Sequence, residues 1–560
     1  MFAPQWRQVQ QQVNRILLLQ RHDIKLQLSL SIHLAEGRLV VRVSDMAPWE
    51  HHGMETRLRA TDPLYHLGGT RCDKRVWLRD QGEVDRKPAS DFKQALAKLG
   101  EEHEQRHAEQ DLPDHLDLGG IRDIAECADR TRVELEKRQR VIYQGAFRIE
   151  HEIAGIAAEV VGLPDFMLPD GASHIIRDAK LARTIERGKK PGIFLQLQLY
   201  GWLYEETMGL PPTRLEVLNG RGELVEIERD NEAVMAELEE ILRLRSLDQE
   251  PFEVVGWSKC QDCDFTDYCW PQAEEQRAPG VIPGVDVGMG RRFAELGVSR
   301  FDEIPERFEV AALAEMKRPW GKGETRVGPK QAGEVMAHVR ARLEDLPVQI
   351  GPVEIPESSH HVMFDLEGLP PEEDGPDKVY LWGMQLYPTS GGEPEEPTFA
   401  LAGFDEDGDR EAWEEFLRRS ARILDQYGED TPFVHWASYE KTKINLYVEK
   451  YGDRDGIAEK LVERNLLDLL PVTKGAFALP LPSYSLKVVE RYVGYERTKV
   501  PGYKGDQSIA RYMVAVETDD EVLREAIVSE LCDYNHEDLE ATWAIFEWLL
   551  APTESPSHSA

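Results

Sequence analysis

Residues 157–183 read AAEVVGLPDFMLPDGASHIIRDAKLAR and contain the pattern on which the predicted fold depends. Its apolar runs on either side of turn residues predict a strand, a turn and a second strand. Side chains two apart on a strand share a face, so Asp178 and Lys180 should point together. Together with Asp165, near the end of the first strand, these two residues would form a metal site in which Lys180 supplies a positive charge. Surface ion pairing produces such a pattern in most proteins, so the pattern needs support from its neighbours.

Two segments beside this pattern offer further polar groups. LGEEHEQRHAEQ, residues 99–110, places His103 on a predicted helix. FLQLQLYGWLY, residues 194–204, places Gln196 and Tyr200 four apart, on one helical face. A helical histidine is usually a surface residue and a Gln/Tyr pair usually packs, so only the whole set of residues together indicates a site.

The chain has six cysteines, and three of them stand close together in KCQDCDFTDYC, as Cys260, Cys263 and Cys269. The others lie far away in the sequence, at Cys72, Cys127 and Cys532. We find no secretion signal, and without one a cysteine cluster indicates metal binding or redox chemistry rather than disulfides. Thiolates suit both zinc and iron–sulfur clusters, so the spacing alone leaves both open.

The polar set, in its order along the chain, resembles the nuclease core of the RecB family, a branch of the PD-(D/E)XK superfamily. The resemblance implies a restriction-endonuclease-like α/β domain over residues 56–275 that uses Mg or Mn. It implies metal ligands at His103, Asp165 and Asp178. It also implies catalytic roles for Lys180, Gln196 and Tyr200.

The cysteines extend the resemblance. Members of the family with an iron–sulfur cluster, including CRISPR adaptation exonucleases and AddB nucleases, have one cysteine before the core and three after it. By that resemblance a 4Fe-4S cluster is held by Cys72, Cys260, Cys263 and Cys269. A structural zinc at the same residues is the alternative.

A second acidic set begins in HHVMFDLEG, residues 360–368, an apolar strand with Asp365 and Glu367 on one face. Buried carboxylates two apart are costly unless they hold metal, although a strand end at the surface would also explain them. Downstream, FVHWASYEK supplies Glu440 after a strand. ELCDYNHEDLEATWAIFEWL places Tyr534 and Asp538 one helical turn apart.

This second set resembles the DEDD exonucleases of the RNase H-like superfamily, in particular the YprB-type domain, over residues 355–552. LWG, LLDLLPV and YSLKVVERYVG are supporting matches. The resemblance implies that metals are held by Asp365, Glu367, Glu440 and Asp538, and that Tyr534 positions water. Glu440 departs from the family, which usually has Asp at that position, and Asp468 is the alternative third ligand or a helper to Glu440.

The segment between the two sets, residues 276–350, contains VGMGRRFAEL, which fits a helix-hairpin-helix pattern. Gly288 and Gly290 would let the backbone approach a DNA phosphate at the start of a helix. The basic stretch KRPWGKGETRVGPK follows, and its Lys317 and Arg318 are further candidate nucleic-acid contacts. Tight helix packing is the alternative explanation of the glycines.

Length, composition and net charge limit the classes to which the protein can belong. The chain has 560 residues and 41% hydrophobic residues, enough for roughly three or four domains with real cores. It has no apolar run of membrane-spanning length, so we expect a cytoplasmic protein that does not enter the membrane. A net charge of −36 argues against a surface that coats nucleic acid nonspecifically, but it does not exclude a nuclease. Alternating residues 24–44 predict a hairpin within an unassigned segment, 1–55, and residues 553–560 a disordered tail.

The sequence therefore predicts a multidomain α/β nuclease with two hydrolytic domains joined by a helix-hairpin-helix linker. The expected substrate is single-stranded or end-exposed DNA, cut by exonuclease action in repair, recombination or defence. RNA is the alternative substrate for the C-terminal domain. The chain lacks a GxxxxGK[ST] motif, so a helicase motor would be a separate partner. The alternatives are a nucleic-acid-binding scaffold with one or both sites inactive, or a zinc-stabilised interaction module.

Overall fold

The computed structural model describes residues 28–35, 38–45, 56–67, 72–182, 184–321, 323–369, 378–404, 407–503 and 505–551. The predicted disordered tail, and most of the unassigned N-terminal segment, lie outside these residues. Within that segment the expected hairpin is confirmed: β1 (Leu28–Ala35) pairs antiparallel with β2 (Arg38–Asp45). Among the described helices, none is both long and apolar enough to cross a membrane.

The N-terminal domain contains two sheets and six main helices. Its strands are β3 (Thr56–Arg59), β4 (Leu116–Asp117), β5 (Ile142–Tyr143), β6 (Phe147–Ile153), β7 (Ile156–Gly162), β8 (Phe166–Asp170), β9 (Ser173–Ala179), β10 (Arg214–Leu218) and β11 (Leu224–Ile227). Its helices are α1 (Asp62–Leu67), α2 (Asp73–Gln81), α3 (Asp91–Gln110), α4 (Ile124–Lys137), α5 (Pro191–Met208) and α6 (Asn231–Arg245). The strand orders are β11-β10-β9-β8-β5-β4 in the larger sheet and β3-β7-β6 in the smaller one.

The stretch 157–183 forms three strands rather than the two we predicted. β8 and β9 make the expected antiparallel hairpin, with Phe166 opposite Arg177. The residues before Gly162 instead complete β7, which pairs with β3 and β6 in the other sheet. Pro164 follows and cannot donate a ladder hydrogen bond, so the chain leaves one sheet before it enters the next. Asp165 consequently stands just before β8 rather than at the end of a strand.

The core of this domain is built around α5, which contacts strands of both sheets as well as α1 and α6. Eleven of its residues are buried, including polar Gln196 and Gln198. A helix enclosed on nearly all sides belongs to the interior of a domain. Any functional group on α5 that faces β9 is therefore held by packing on every side.

The cysteine segment, which contains Cys260, Cys263 and Cys269, and the linker, residues 276–350, come next along the chain. The helices are α7 (Trp257–Cys260), α8 (Thr266–Glu275), α9 (Val287–Glu295), α10 (Glu303–Arg307), α11 (Val310–Glu315) and α12 (Pro329–Glu344). A short 3-10 helix, Pro279–Val281, precedes α9, and the strands β12 (Lys317–Trp320) and β13 (Gly323–Arg326) form a hairpin. A separate group of buried residues, from Ala273 to Val339, gives this segment its own core.

The C-terminal domain is built on a five-stranded sheet covered by helices, and a separate two-stranded pair joins the end of the linker to it. Its strands are β14 (Val348–Gln349), β15 (His360–Gly368), β16 (Val379–Pro388), β17 (Thr398–Leu401), β18 (Phe433–His435), β19 (Leu466–Asp468) and β20 (Phe477–Ala478). Its helices are α13 (Gly408–Tyr427), α14 (Tyr439–Tyr451), α15 (Ile457–Lys460), α16 (Leu469–Ala476), α17 (Leu486–Tyr492), α18 (Gly505–Glu517) and α19 (Glu521–Leu550). A 3-10 turn, Arg454–Gly456, and a π-helical turn, Leu461–Asn465, flank α15.

The strand directions of that sheet place its acidic residues. The order is β17-β16-β15-β18-β19, while β14 and β20 pair separately. β15 runs antiparallel to β16 and parallel to β18, so it is the central strand. The long helix α19 contacts both β15 and β16, and the carboxylates of β15 therefore face a helix that carries Tyr534 and Asp538.

Candidate active sites

The first candidate site lies at the end of β9. Asp178 is 1% exposed, and its carboxylate pairs with the ammonium group of Lys180. Asp165 is brought to the same place because its Oδ2 accepts a 2.7 Å hydrogen bond from Ala179 N. The structure thus brings together the two carboxylates and the lysine that the sequence singled out.

Burial makes this cluster electrostatically strained. Desolvation and the nearby Asp178 carboxylate raise the pKa of Asp165 well above its ordinary value. Burial would lower the pKa of Lys180, but the carboxylates of Asp178 and Asp165 outweigh it and raise that pKa. Two carboxylates share one cation in a region of low dielectric constant, and a divalent cation would relieve the remaining repulsion.

Gln196 and Tyr200 face each other on α5, as their spacing predicted. Gln196 Nε2 donates a 2.9 Å hydrogen bond to the Tyr200 hydroxyl. Among the described residues, buried Gln196 Oε1 has no hydrogen-bond partner. Burial and the Asp178 carboxylate raise the pKa of Tyr200 well above its ordinary value, so its phenol stays neutral. The pair offers an oxygen acceptor and a hydroxyl beside the carboxylates.

His103 lies buried on α3, which contacts β9. Arg177 anchors α3 there by donating a 2.9 Å hydrogen bond to His107 Nε2, one turn beyond His103. Sequence reasoning missed Glu104, which follows His103 on the same helix. Burial and the Asp178 carboxylate raise the pKa of Glu104. Glu104 is therefore within electrostatic range of the site. The acidic run LGEEHEQ is the feature of the sequence that could have pointed to it.

The four cysteines of the predicted cluster also come together. Burial, Glu253 and the thiols of Cys263 and Cys260 raise the pKa of Cys72 to about 12. Burial is also the main cause that raises the pKa of Cys269 to about 11, with Cys263 and Cys260 again contributing. Thiols that act on one another in this way bind metal only as thiolates, which a metal cation would stabilise.

The remaining two cysteines lie elsewhere. Cys127 is 4% exposed in the core of the N-terminal domain. Cys532 packs against the core of the C-terminal domain. Asp264 ties the cysteine segment to the start of the domain, since its carboxylate accepts from Arg75 and Tyr65. The structure thus separates four clustered cysteines from two isolated ones.

The second candidate site joins β15 to α19. Carboxylate oxygens of Asp365, Glu367 and Asp538 all lie within 4.8 Å of one another. Burial and then the Asp538 carboxylate raise the pKa of Asp365 well above its ordinary value. The same two causes raise the pKa of Glu367 to about 8. Three acidic groups this close favour a divalent cation with oxygen ligands.

Two cations already face Asp538. Lys487 Nζ donates a 2.9 Å hydrogen bond to Asp538 Oδ1, and Arg497 pairs with the same oxygen. Arg497 also donates to the nearly enclosed carboxylate of Glu490. The backbone beyond Arg497 is fixed because buried Glu537 accepts from Lys499 N at 2.6 Å. The quoted motif YSLKVVERYVG contains Lys487, but sequence reasoning assigned neither cation to the site.

The third acidic position differs from the other three. Glu440 is 3% exposed and accepts a 3.0 Å hydrogen bond from His435 Nδ1. Its charge acts on Asp365, yet it does not belong to the tight group of three carboxylates. Asp468 is engaged with backbone, since its Oδ1 accepts from Ala437 N at 2.9 Å and from Leu470 N at 3.1 Å. The roles of Glu440 and Asp468 as metal ligands stay predictions.

Two further contacts shape this site. Asn535, which sequence reasoning missed, donates a 2.6 Å hydrogen bond to Asp365 Oδ2. Tyr534 stands one turn from Asp538, and burial together with the Asp538 carboxylate raises its pKa well above the ordinary value. Tyr534 is therefore a neutral hydroxyl group beside the carboxylates.

The linker glycines are closely packed, which was the alternative explanation of their pattern. A Cβ at Gly288 would overlap Pro319 O, and one at Gly290 would lie 2.7 Å from Val254. Arg318 is 6% exposed and pairs with Asp286 at 2.6 Å. Close packing accounts for the two glycines and for Arg318. Lys317 is exposed, and nucleic-acid binding by these four residues stays a prediction.

The comparisons with known proteins concern the two outer domains. Residues 71–270 match a family model of the PD-(D/E)XK nuclease superfamily. Residues 362–550 match a family model of the RNase H superfamily. No curated protein matches the chain. Among solved structures, the one titled "Crystal structure of SSO0001" is 18% identical over 39% of this chain and 89% of its own, with a TM-score of 0.22.

The ranges matched by the family models enclose both candidate sites, including Lys180 in the first and Asp538 in the second. The chain therefore combines a domain of the PD-(D/E)XK nuclease superfamily, over residues 71–270, with a domain of the RNase H superfamily, over residues 362–550.

Proposed function

We propose that the protein is a metal-dependent DNA exonuclease that hydrolyses phosphodiester bonds of single-stranded or end-exposed DNA at two sites. The single observation that carries the proposal is the group of three carboxylates formed by Asp365, Glu367 and Asp538. Lys487 and Arg497 pair with Asp538, and a divalent cation would relieve the repulsion that remains among the three carboxylates. RNA is the alternative substrate of the C-terminal domain.

In the C-terminal site, Asp365, Glu367 and Asp538 would hold Mg or Mn, with Glu440 as a nearby fourth acidic group. A bound divalent ion would supply an acidified water and neutralise charge on the phosphodiester. Neutral Tyr534 would orient that water through its hydroxyl group. Lys487, beside Asp538, is placed to offset negative charge that develops on the substrate.

In the N-terminal site, Asp165 and Asp178 would hold the ion, and His103 and Glu104 stand on the neighbouring helix. Lys180 is kept charged by its carboxylate partners and can therefore stabilise a developing phosphate charge. The unpartnered oxygen of Gln196 provides an acceptor for a water or a substrate group. This set supports hydrolysis by the same chemistry as the C-terminal site.

We also propose that Cys72, Cys260, Cys263 and Cys269 hold a 4Fe-4S cluster that clamps the two ends of the N-terminal domain. Ligation by four cysteines suits such a cluster, and a zinc ion is the alternative. The proposed divisions are 56–275 for the first domain, 276–350 for a helix-hairpin-helix-like linker and 355–552 for the second domain. Separate buried cores support the division, and the core of the linker also includes Ala273 from the end of the first range.

The test uses labelled single-stranded DNA with Mg or Mn, and with EDTA as the metal-free control. Lys180→Ala should lower the activity of the first domain, and Asp365→Ala that of the second. Lys137→Ala, at an exposed lysine on α4, is the matched control for the first change. If both site variants degrade DNA as fast as wild type, the assignment of both sites is wrong.

A further inference from the structure

An open cleft lies between the cysteine segment, the start of α9 and the tip of the β12–β13 hairpin. Its volume is about 440 Å³, and we call it the Trp320 cleft. The residues that matter for its chemistry are Val254, Lys259, Val287, Arg291 and Trp320. It lies apart from both candidate active sites in sequence and includes none of their residues.

Trp320 forms the aromatic part of this cleft. It is 62% exposed, an unusual state for so large an apolar side chain. It ends β12, and the turn that follows has Gly321 at a φ of 56°. The Arg318 guanidinium lies 4.8 Å from the centre of the ring. The hairpin thus presents an aromatic surface to solvent at the edge of a cleft.

The hairpin is held firmly in that position. Buried Arg318 pairs with Asp286 at the start of α9, and Arg292 Nε donates a 2.9 Å hydrogen bond to Lys317 O. The absence of a side chain at Gly288 lets α9 approach Pro319 closely. These contacts fix the hairpin against α9. A ligand that binds Trp320 therefore does not have to order the hairpin, and little conformational entropy is lost.

The charge of the cleft suits an anionic ligand, although the whole chain carries −36. Lys259 and Arg291 line it. The Arg291 guanidinium lies 3.5 Å from the buried carboxylate of Glu253, so Lys259 supplies the excess positive charge. Asp286 also lines it, but the Arg318 ion pair compensates its charge. An aromatic surface beside cations matches a base that stacks and phosphates that neighbour it.

We propose that the Trp320 cleft binds one unstacked base of a single-stranded nucleic acid, with an adjoining phosphate on Lys259. The proposal rests on the proposed function as a nuclease. It gives the linker a direct role in holding the substrate, through the hairpin tip and the cysteine segment rather than through the packed glycines.

The test measures binding of a fluorescein-labelled oligothymidylate by anisotropy, with the full chain and EDTA so that no cleavage occurs. Trp320→Ala should weaken binding roughly tenfold, since stacking of one base on an aromatic side chain contributes on this scale. Trp320→Phe should restore much of the affinity. Val522→Ala, at an exposed apolar residue of α19, should bind as wild type does.

Two further probes separate the base contact from the phosphate contacts. An abasic oligonucleotide should bind wild type and Trp320→Ala with equal affinity, because it has no base to stack. Lys259→Gln should reduce the slope of log K against log salt by about 0.7, the value for one lost phosphate contact on a single strand. Lys137→Gln, with a lysine outside the cleft, should leave that slope unchanged.

The outcomes distinguish this proposal from the proposed function. If wild type cleaves DNA but Trp320→Ala binds the oligonucleotide as tightly, the cleft proposal is wrong and the nuclease proposal stands. If wild type binds through Trp320 but cleaves nothing with Mg or Mn, the nuclease proposal fails and the cleft stands. Equal weakening of the abasic and normal oligonucleotides by Trp320→Ala overturns base stacking.

Discussion

Asn535 donates a 2.6 Å hydrogen bond from its side-chain amide to Asp365 Oδ2, and so links α19 to the central strand β15. The contact depends on Gly383, which is paired with Asp365 on the neighbouring strand β16. A side chain at Gly383 would overlap Asn535 Oδ1. The glycine of LWG therefore leaves the space in which the amide reaches the carboxylate.

Gly383→Ala should displace Asn535 and destabilise the C-terminal domain by about 1–3 kcal/mol, as expected for overpacking a buried site. Urea unfolding measures the change. Gly333→Ala is the matched control, because a Cβ at this glycine of α12 meets nothing within 4 Å. That control should be neutral or gain up to about 1 kcal/mol from helix propensity. Equal effects of the two changes would contradict the role of Gly383.

Lys487→Ala should affect metal binding and catalysis in opposite directions. Removal of the ammonium group leaves Asp538 with one cation fewer, so Mn affinity measured by calorimetry should rise. Cleavage should slow roughly tenfold or more, because a charge that faces the substrate is lost. The rate is measured in a Lys180→Ala background, which leaves only the second site.

Lys460→Ala provides the comparison for Lys487→Ala, since Lys460 pairs with Glu429 at the surface of the same domain. Both measurements should remain at their starting values in this variant. An unchanged cleavage rate in Lys487→Ala would show that this lysine only balances Asp538.

Cys72→Ser should remove the proposed cluster and destabilise the N-terminal domain, because it deletes the one ligand that precedes the core. Iron and zinc are counted by mass spectrometry after anaerobic purification, together with the visible absorption spectrum. Cys127→Ser and Cys532→Ser should retain the full metal content, since these residues lie in the two domain cores. Stoichiometric zinc without iron would replace the iron–sulfur proposal.

Buried His174 should make the stability of the N-terminal domain sensitive to acid. Burial, and then the charge of Arg138, lower the pKa of His174 to about 4, and its Nδ1 lies 2.9 Å from the Tyr204 hydroxyl. The unfolded chain then binds more protons than the folded chain between pH 6.5 and 4, so stability falls as pH falls through that window. The loss should reach about 3 kcal/mol at the acid end. Calorimetric melting of His174→Gln should show a shallower pH dependence, and identical profiles would contradict this prediction.

Strand and helix periodicity predicted the local pairs within both sets, and the resemblance to known families supplied the other members, including Asp165 and Glu440. Asp178 with Lys180, and Tyr534 with Asp538, needed only local spacing. The hairpin in residues 24–44 followed from alternation alone. The stretch 157–183 was assigned one strand too few, since alternation does not reveal that a chain passes between sheets after Gly162.

Contacts between residues that are far apart in the sequence could not be predicted from it. Asn535 and Asp365 are 170 positions apart, and Lys487 and Asp538 are 51 apart. No local period relates such pairs, because tertiary packing alone brings them together. The linker glycines show the converse: Gly288 fits a motif, yet its surroundings explain it by the approach of α9 to the hairpin.

Hydrolysis of nucleic acid at both carboxylate sites is tested by the rate at which the double variant Lys180→Ala/Asp365→Ala degrades 5′-labelled single-stranded DNA with Mn. Each single variant should keep the activity of the other domain. The double variant should fall to the level of wild type in EDTA, while its circular dichroism spectrum and its binding of the oligonucleotide remain those of wild type. Degradation by the double variant at the wild-type rate would contradict the claim that these two carboxylate sites cut nucleic acid.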